Sequence, residues 1–336
     1  MWLFGVAAMV LVMIALGGVT RLTGSGLSIM EWAPFAGALP PLNEAEWHRL
    51  YRLYQQIPQY ALVNEGFGLD GFKRIFWLEW SHRLWGRLIG IAFLGPLIWF
   101  WVTGRIERRL RPRLAVLFVL GGLQGAVGWF MVASGFLPEA TAVSPYRLVI
   151  HLALALVLYG AIVWTGLTVL RPLPPYPSAT RWLGRLSLVL CVLVSLTILA
   201  GGFVAGTHAG LDYNTFPLMD GRLVPAGYAQ LSPFVRNLTE NTAAVQFDHR
   251  LLATLTAFVA IATAALGLAS RPPRAVGIAL VVFAGVVAAQ YGLGVATLLA
   301  VVPVSLATLH QVGAVLLLTA SLLLLHATRQ APVGHP

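Results

Sequence analysis

Long apolar runs alternate with polar connections along almost the whole chain. Eight runs are long enough for a helix that crosses a hydrocarbon layer about 30 Å thick, which takes about 20 residues. They lie at roughly 2–20, 83–103, 114–134, 147–170, 184–204, 250–269, 275–299 and 304–327. The pattern predicts an all-α polytopic membrane protein with eight transmembrane helices.

The composition agrees with this prediction. Hydrophobic residues make up 58% of the chain, charged residues 10%, and the mean hydropathy is +0.79. A soluble core could not bury that much apolar surface. Met1 leads directly into the first run, which predicts a retained helix and not a signal peptide. Cys191 is the one cysteine, so the chain has no disulfide framework and no cysteine metal cluster.

The net charge of +10 is distributed unevenly over the predicted loops, and this argues against a nucleic-acid partner. The connections after the second, fourth and sixth runs and the C-terminal tail carry only one acid, Glu107, against eleven arginines: Arg105, Arg108, Arg109, Arg111, Arg113, Arg171, Arg181, Arg185, Arg271, Arg274 and Arg329. The opposite loops balance to zero. By the positive-inside rule, both termini are predicted to be cytoplasmic.

The two halves of the chain resemble each other. Residues 17–27 and 201–211 share five identical positions without a gap. Because each half has four helices, the halves should enter the membrane in the same direction, related by a pseudo-twofold axis along its normal. We expect an N-terminal four-helix bundle at 1–170 with a long outer loop at 21–80. A C-terminal bundle is expected at 184–327 with an outer loop at 205–248.

Four histidines occupy matching places in this duplication, at the outer ends of even-numbered spans: His82, His151, His249 and His310. Such residues can be hydrogen-bonded contacts between helices or parts of a proton path. Two imidazoles can also ligate a haem iron on both faces.

A porphyrin lying against a helix needs a small residue one turn beyond its ligand. Those positions are Gly86, Ala155, Ala253 and Ala314. The alternative is close helix packing through small residues. The occurrence of all four together favours haem sites toward the outer leaflet.

Glu79 breaks the symmetry between the halves, because the corresponding residue is Gln246. A carboxylate three residues before His82 could exchange protons at one haem pocket. Alternatively, it is a first-turn acid favoured by the positive helix N-terminus.

Polar residues beside the histidines raise two further hypotheses. Arg83, Arg87, Arg147 and Arg250 could pair with haem propionates or with lipid phosphates.

In the outer segment 40–76, one face of a short interfacial helix is predicted from Trp47, Leu50, Tyr51 and Tyr54. That helix would lie over the N-terminal bundle and could cover a pocket there, or its aromatic residues could be an ordinary anchor at the membrane interface.

Three segments give the chain a resemblance to the haem A synthase family: 78–87 (LEWSHRLWGR), 209–221 (AGLDYNTFPLMDG) and 247–250 (FDHR). The resemblance covers nearly the whole chain. Some members carry a cysteine pair in the outer loops, which this chain lacks, so thiol-based electron entry has no support here.

The resemblance implies oxidation of the C8 methyl of haem O to the formyl group of haem A, for assembly of a haem-copper oxidase. It implies haem b on His249 and His310, substrate haem O at His82 and His151, and Glu79 as the functional acid. It also implies a multi-pass protein of the bacterial inner membrane. Haem O synthase is a candidate partner, the electron acceptor is unidentified, and a homo-oligomer stays open.

Two other classes of protein compete with this interpretation. A two-haem cytochrome b would carry electrons without changing its haems. A duplicated transporter would need broken helices or buried charges near mid-membrane. The predicted spans lack charged residues at mid-depth, which counts against transport.

Overall fold

A computed structural model describes residues 1–34, 36–170 and 181–329, so Arg171 of the predicted cytoplasmic face lies outside the described residues. Those residues form an all-helical protein without a named strand. Its α-helices are α1 (Trp2–Leu22), α2 (Glu44–Tyr54), α3 (Pro58–Val63), α4 (Leu69–Val102), α5 (Arg111–Val132), α6 (Pro145–Leu170), α7 (Arg181–Gly206), α8 (Thr242–Ala269), α9 (Arg274–Leu299) and α10 (Val304–Thr328).

Eight of these helices, all except α2 and α3, are long and apolar enough to cross a membrane. This confirms the eight predicted spans and the all-α class. The prediction was wrong about where the second of them begins. The helix α4 starts at Leu69 rather than near residue 83, and its 34 residues make it about 51 Å long. Since this exceeds the apolar thickness of a bilayer, the first turns of α4 can extend beyond it.

The first compact unit, Trp2–Leu158, is built on α1, α4, α5 and the first part of α6. Indole groups connect α1 and α4: Trp85 Nε1 donates to the carbonyl of Met9 at 2.8 Å, and Trp2 Nε1 donates to that of Ala92 at 2.9 Å. Both bonds satisfy indole N–H groups within apolar surroundings, where an unpaired polar group would be costly.

The second compact unit begins at Tyr159. Here α7 packs on α8, α8 on α9, α9 on α10 and α10 on α7. These four helices therefore close a ring. The last part of α6 joins it through a hydrogen bond between the hydroxyls of Tyr159 and Thr319 at 2.7 Å. The division between units falls inside α6, and the arrangement of two related bundles stays a prediction.

The predicted short outer helix is α2. Asn43 caps it by accepting a hydrogen bond from the backbone N–H of Glu46 at 2.9 Å. Its buried face consists of Trp47, Leu50 and Tyr54. This face packs against the first turns of α4, where the ring centroids of Trp47 and Phe76 lie 4.9 Å apart. These aromatic side chains therefore contact protein, and the position of α2 at the membrane interface stays a prediction.

Replacing Trp47 with Ala should detach α2 from α4, because the indole is 7% exposed and packs on several aromatic rings. Truncation of a buried Trp costs roughly 3–5 kcal/mol. We expect faster proteolysis of the outer segment, with the transmembrane helices intact. Leu62→Ala is the control, because Leu62 is 64% exposed. Equal proteolysis of both variants would contradict this packing role.

Candidate functional site

The first predicted histidine pair is brought together by α4 and α6. His82 and His151 lie close enough for their imidazoles to interact electrostatically. Each ring packs against a glycine of a neighbouring helix. A Cβ added to Gly17 of α1 would lie 3.1 Å from His82 Nε2, and one added to Gly128 of α5 would lie 3.0 Å from His151 Cε1. The imidazoles thus occupy space that any larger residue would fill.

The second pair repeats this arrangement in α8 and α10. His249 and His310 also lie within electrostatic range. A Cβ on Gly201 of α7 would lie 3.0 Å from His249 Cε1, and one on Gly294 of α9 would lie 2.8 Å from His310 Cε1. All four histidines therefore meet a glycine at a matching position of the duplicated sequence.

Two glutamines position the second histidine of each pair. Gln124 Nε2 donates to the backbone carbonyl of His151 at 3.0 Å and lies 3.3 Å from its Nε2. Gln290 Nε2 donates to the carbonyl of His310 at 2.9 Å and lies 3.1 Å from its Nδ1. Each amide thus joins the helix preceding the histidine to both the backbone and the ring of that histidine.

These glycines and glutamines are functional candidates that the sequence alone did not reveal. The repeat pairs Gln124 and Gly128 with Gln290 and Gly294, but matching positions do not show what a residue touches. The available signal was their recurrence one turn apart on the helix before each second histidine.

The residues at both sites fit a haem group. Each histidine is half-buried, and so is each predicted porphyrin-facing small residue. His151 Nδ1 is buried and has no hydrogen-bond partner in the described part of the chain. The two imidazoles of each site are side chains of the type that holds haem iron in proteins.

One of the small positions also serves helix packing. A Cβ on Gly86 would lie 3.2 Å from Met13 Cε of α1, whereas one on Gly90 would have no neighbour within 4 Å. The packing alternative thus holds in part at Gly86, alongside the predicted porphyrin surface.

Glu79 is 2% exposed and lies in the third turn of α4, so the interpretation as a first-turn acid was wrong. Its Oε2 accepts hydrogen bonds from Ser28 Oγ at 2.7 Å and from the N–H of Ile29 at 2.9 Å. Its Oε1 accepts two from Arg83. Arg83 in turn donates to the carbonyls of Ile29 and Glu31. The pair therefore fastens the segment after α1 to α4, three residues from His82.

The second half contains a counterpart of this clamp that has an arginine but no carboxylate. Gln246 Nε2 donates to the carbonyl of Tyr213 at 3.1 Å. Arg250 donates to the carbonyls of Tyr213 and Thr215. The same two helical positions thus hold the segment after α7. Only the first half places a carboxylate there.

The other arginines near the histidines also bind backbone carbonyls. Arg87 donates to Ala33 and Pro34, and Arg147 donates to Phe130. Within the described residues, Arg87 Nη1 and Arg250 Nε are buried donors without a partner. These two atoms remain available for the predicted propionate contacts, which stay a prediction.

A cavity of about 350 Å³ is lined by residues of α2, of α4 and of the segment after α1. On its rim, Arg49 Nη1 and Glu31 Oε1 lie 2.8 Å apart. The hydrogen bond from Arg49 lowers the pKa of Glu31 below its ordinary value. The carboxylate thus stays charged at neutral pH and holds α2 to the segment after α1. Whether α2 covers a substrate pocket stays a prediction.

The fold and these sites define a multi-pass helical membrane protein with two matched pairs of histidines on its long apolar helices. The model of the cytochrome oxidase assembly protein family COX15-CtaA matches residues 1–322. The chain belongs to this family.

Similar proteins agree with this assignment. The heme A synthase of Granulibacter bethesdensis is 63% identical, over 98% of this chain and 87% of its own. That of Rhodospirillum centenum is 50% identical, over 98% and 87%. Heme A synthase 2 of Acidiphilium cryptum is 48% identical, over 95% and 88%.

Proposed function

We propose that this protein is an oxidoreductase of haem biosynthesis, a haem A synthase that converts the C8 methyl group of haem O to a formyl group. The family and the high identity to named heme A synthases support this. The observation that carries it is the combination of two matching histidine–glycine sites with one asymmetry, Glu79 against Gln246. Two sites with the same arrangement of histidines and glycines can hold two haems. The carboxylate of Glu79 makes the first site chemically different from the second.

In this proposal, the two histidine sites have different functions. His249 and His310 would hold haem b, while His82 and His151 would bind substrate haem O. Haem b held by His249 and His310 would supply electron transfer when bound. The glycines leave room for the imidazoles, and the glutamines fix the orientation of His151 and His310.

Glu79 would act on the substrate side. A buried carboxylate beside the pocket can accept a proton from the reacting group, or stabilise positive charge that develops at the methyl carbon. Arg83 keeps the carboxylate in place and offsets its charge. Gln246 could do neither, which supports placing the chemistry in the first half.

The proposed orientation has both termini in the cytoplasm and the histidine sites toward the outer leaflet of the bacterial inner membrane. The arginine-rich connections support this orientation. Haem O would be delivered by haem O synthase and electrons would leave to a separate acceptor. A homo-oligomer is compatible with the proposal, and the charge distribution does not call for nucleic acid.

A two-haem cytochrome b is the second candidate, favoured by the similarity of the two sites. Co-expression with a haem O source, in a host without haem A, separates the two functions. We expect haem A in extracts analysed by chromatography and mass. His82→Ala should abolish it while haem b remains. Finding haem b alone in the wild-type protein, despite available haem O, would favour the cytochrome.

A further inference from the structure

A second cavity, of about 360 Å³, lies between the start of α7 and the end of α10. Its charged lining consists of Arg181, Arg185 and Arg329, and its apolar lining includes Leu188 and Leu325. Arg181 lies 20 residues before Gly201 on α7, which is about 30 Å along a helix. Since Gly201 contacts His249, the cavity lies near the opposite membrane surface from the histidines.

Close contacts between backbone and side chains define the shape of this cavity. A Cβ on Gly184 would lie 3.1 Å from the backbone oxygen of Thr328, so α7 and α10 approach closely at its floor. The guanidinium of Arg329 stacks over the ring of Trp164, 5.5 Å from its centroid. This contact helps to hold the guanidinium of Arg329, which lines the cavity together with the two arginines of α7.

The lining of the cavity is strongly positive. Among the described residues, its lining contains three arginines and no acidic side chain. Glu107, the one acid in the same set of loops, pairs with Arg109 at 2.6 Å. A lining of this composition favours an anionic ligand, because guanidinium groups bind phosphate and carboxylate oxygens through charge-assisted hydrogen bonds.

The apolar surface next to the cavity indicates what kind of anion it is. Leu188 and Val192 continue the helical face of Arg181 and Arg185 toward mid-membrane, and are 54% and 50% exposed. A face with cations at the helix end and exposed apolar side chains deeper in the membrane matches a phospholipid. A small soluble anion would use only the cations.

We propose that this cavity binds the phosphate of an anionic phospholipid, with an acyl chain lying along Leu188 and Val192. Basic pockets between transmembrane helices bind such head groups. The lipid would add a further link between the ends of α7 and α10, which already pack on each other. The site is independent of the haem chemistry proposed above.

Native mass spectrometry of the haem-loaded full-length protein tests the proposal. Phosphatidylglycerol and phosphatidylcholine with the same acyl chains are titrated separately. In Arg181→Gln/Arg185→Gln, we expect phosphatidylglycerol affinity to fall about tenfold or more. Arg105→Gln/Arg108→Gln is the matched control, since it removes two exposed arginines from the same set of loops, outside the cavity. There we expect less than about a twofold change.

Further variants and controls separate a loss of lipid binding from a loss of folding. Arg181→Lys/Arg185→Lys keeps the charge and should keep most of the affinity, and unchanged helical circular dichroism would show that each variant folds. Equal losses in the cavity and control variants would overturn the proposal, as would no loss in either. Competition by millimolar inorganic phosphate as strong as that by the lipid would overturn the assignment to a phospholipid.

Discussion

Replacing Glu79 with Gln is expected to abolish formation of haem A while haem b stays bound. Proton transfer by a positioned side chain contributes about 10²–10⁴-fold to a rate. Product should therefore fall at least about 100-fold in the co-expression assay. The C-terminal pair should keep its haem b spectrum, because the substituted residue belongs to the clamp of the other pair.

The chain itself carries a glutamine at the position of the second half that matches Glu79. Gln246 occupies the matching position of the second half and fastens the segment after α7 together with Arg250. A glutamine at position 79 could keep the contact with Arg83, as Gln246 does with Arg250, but its NH2 group could not accept the hydrogen bond that Ile29 N–H donates to Glu79. Glu65→Gln is a suitable control, since it makes the same chemical change at an exposed position of the outer segment.

Loop positioning is the competing explanation, because Glu79 also holds Ser28 and Ile29. Arg83→Gln distinguishes the two roles, since it weakens the same clamp and leaves the carboxylate. If the carboxylate acts on the substrate, Arg83→Gln should lose much less product than Glu79→Gln. Equal losses in the two variants would show that only the position of the segment matters, and full activity of Glu79→Gln would exclude both roles.

The sequence predicted the eight transmembrane helices because each is a long apolar run, and hydropathy alone identifies such runs. It missed the early start of α4 because Asp70, Lys73 and Arg74 interrupt the hydropathy there. The helical signal was nevertheless present: Phe72, Ile75 and Phe76 have helical spacing, and all three are buried. A periodicity test across 69–82 would have extended the helix.

The histidine pairs could be predicted from the sequence for a different reason. Duplication places chemically distinctive residues at matching positions, and histidines are rare enough in apolar runs to be noticed. The role of Glu79 as a clamp could not be predicted, because its partners lie about 50 residues away in the segment after α1. Such contacts depend on how α1 and α4 rotate against each other, which composition and spacing do not specify.

The contacts between the four glycines and the histidines could not be predicted from the sequence for the same reason. Gly294→Val should greatly reduce haem b binding, because even the first added carbon would lie 2.8 Å from His310 Cε1. Overpacking of this kind costs about 1–3 kcal/mol, and here the cost falls on a proposed iron ligand. We expect haem b content to fall about tenfold or more in pyridine haemochrome spectra of purified protein.

A matched substitution two residues away separates crowding of the ring from a general effect on α9. A Cβ on Gly292 would meet nothing within 4 Å, so Gly292→Val should keep its haem b. In the first half, Gly128→Val should stop haem A formation and spare haem b, whereas Gly125→Val, also in open space, should do neither. Because the two crowded variants are expected to fail at different haems, the set also tests whether the sites hold separate groups. Normal haem b in Gly294→Val would mean that His310 does not need the space this glycine leaves, and the proposed ligand set of the second half would have to be revised.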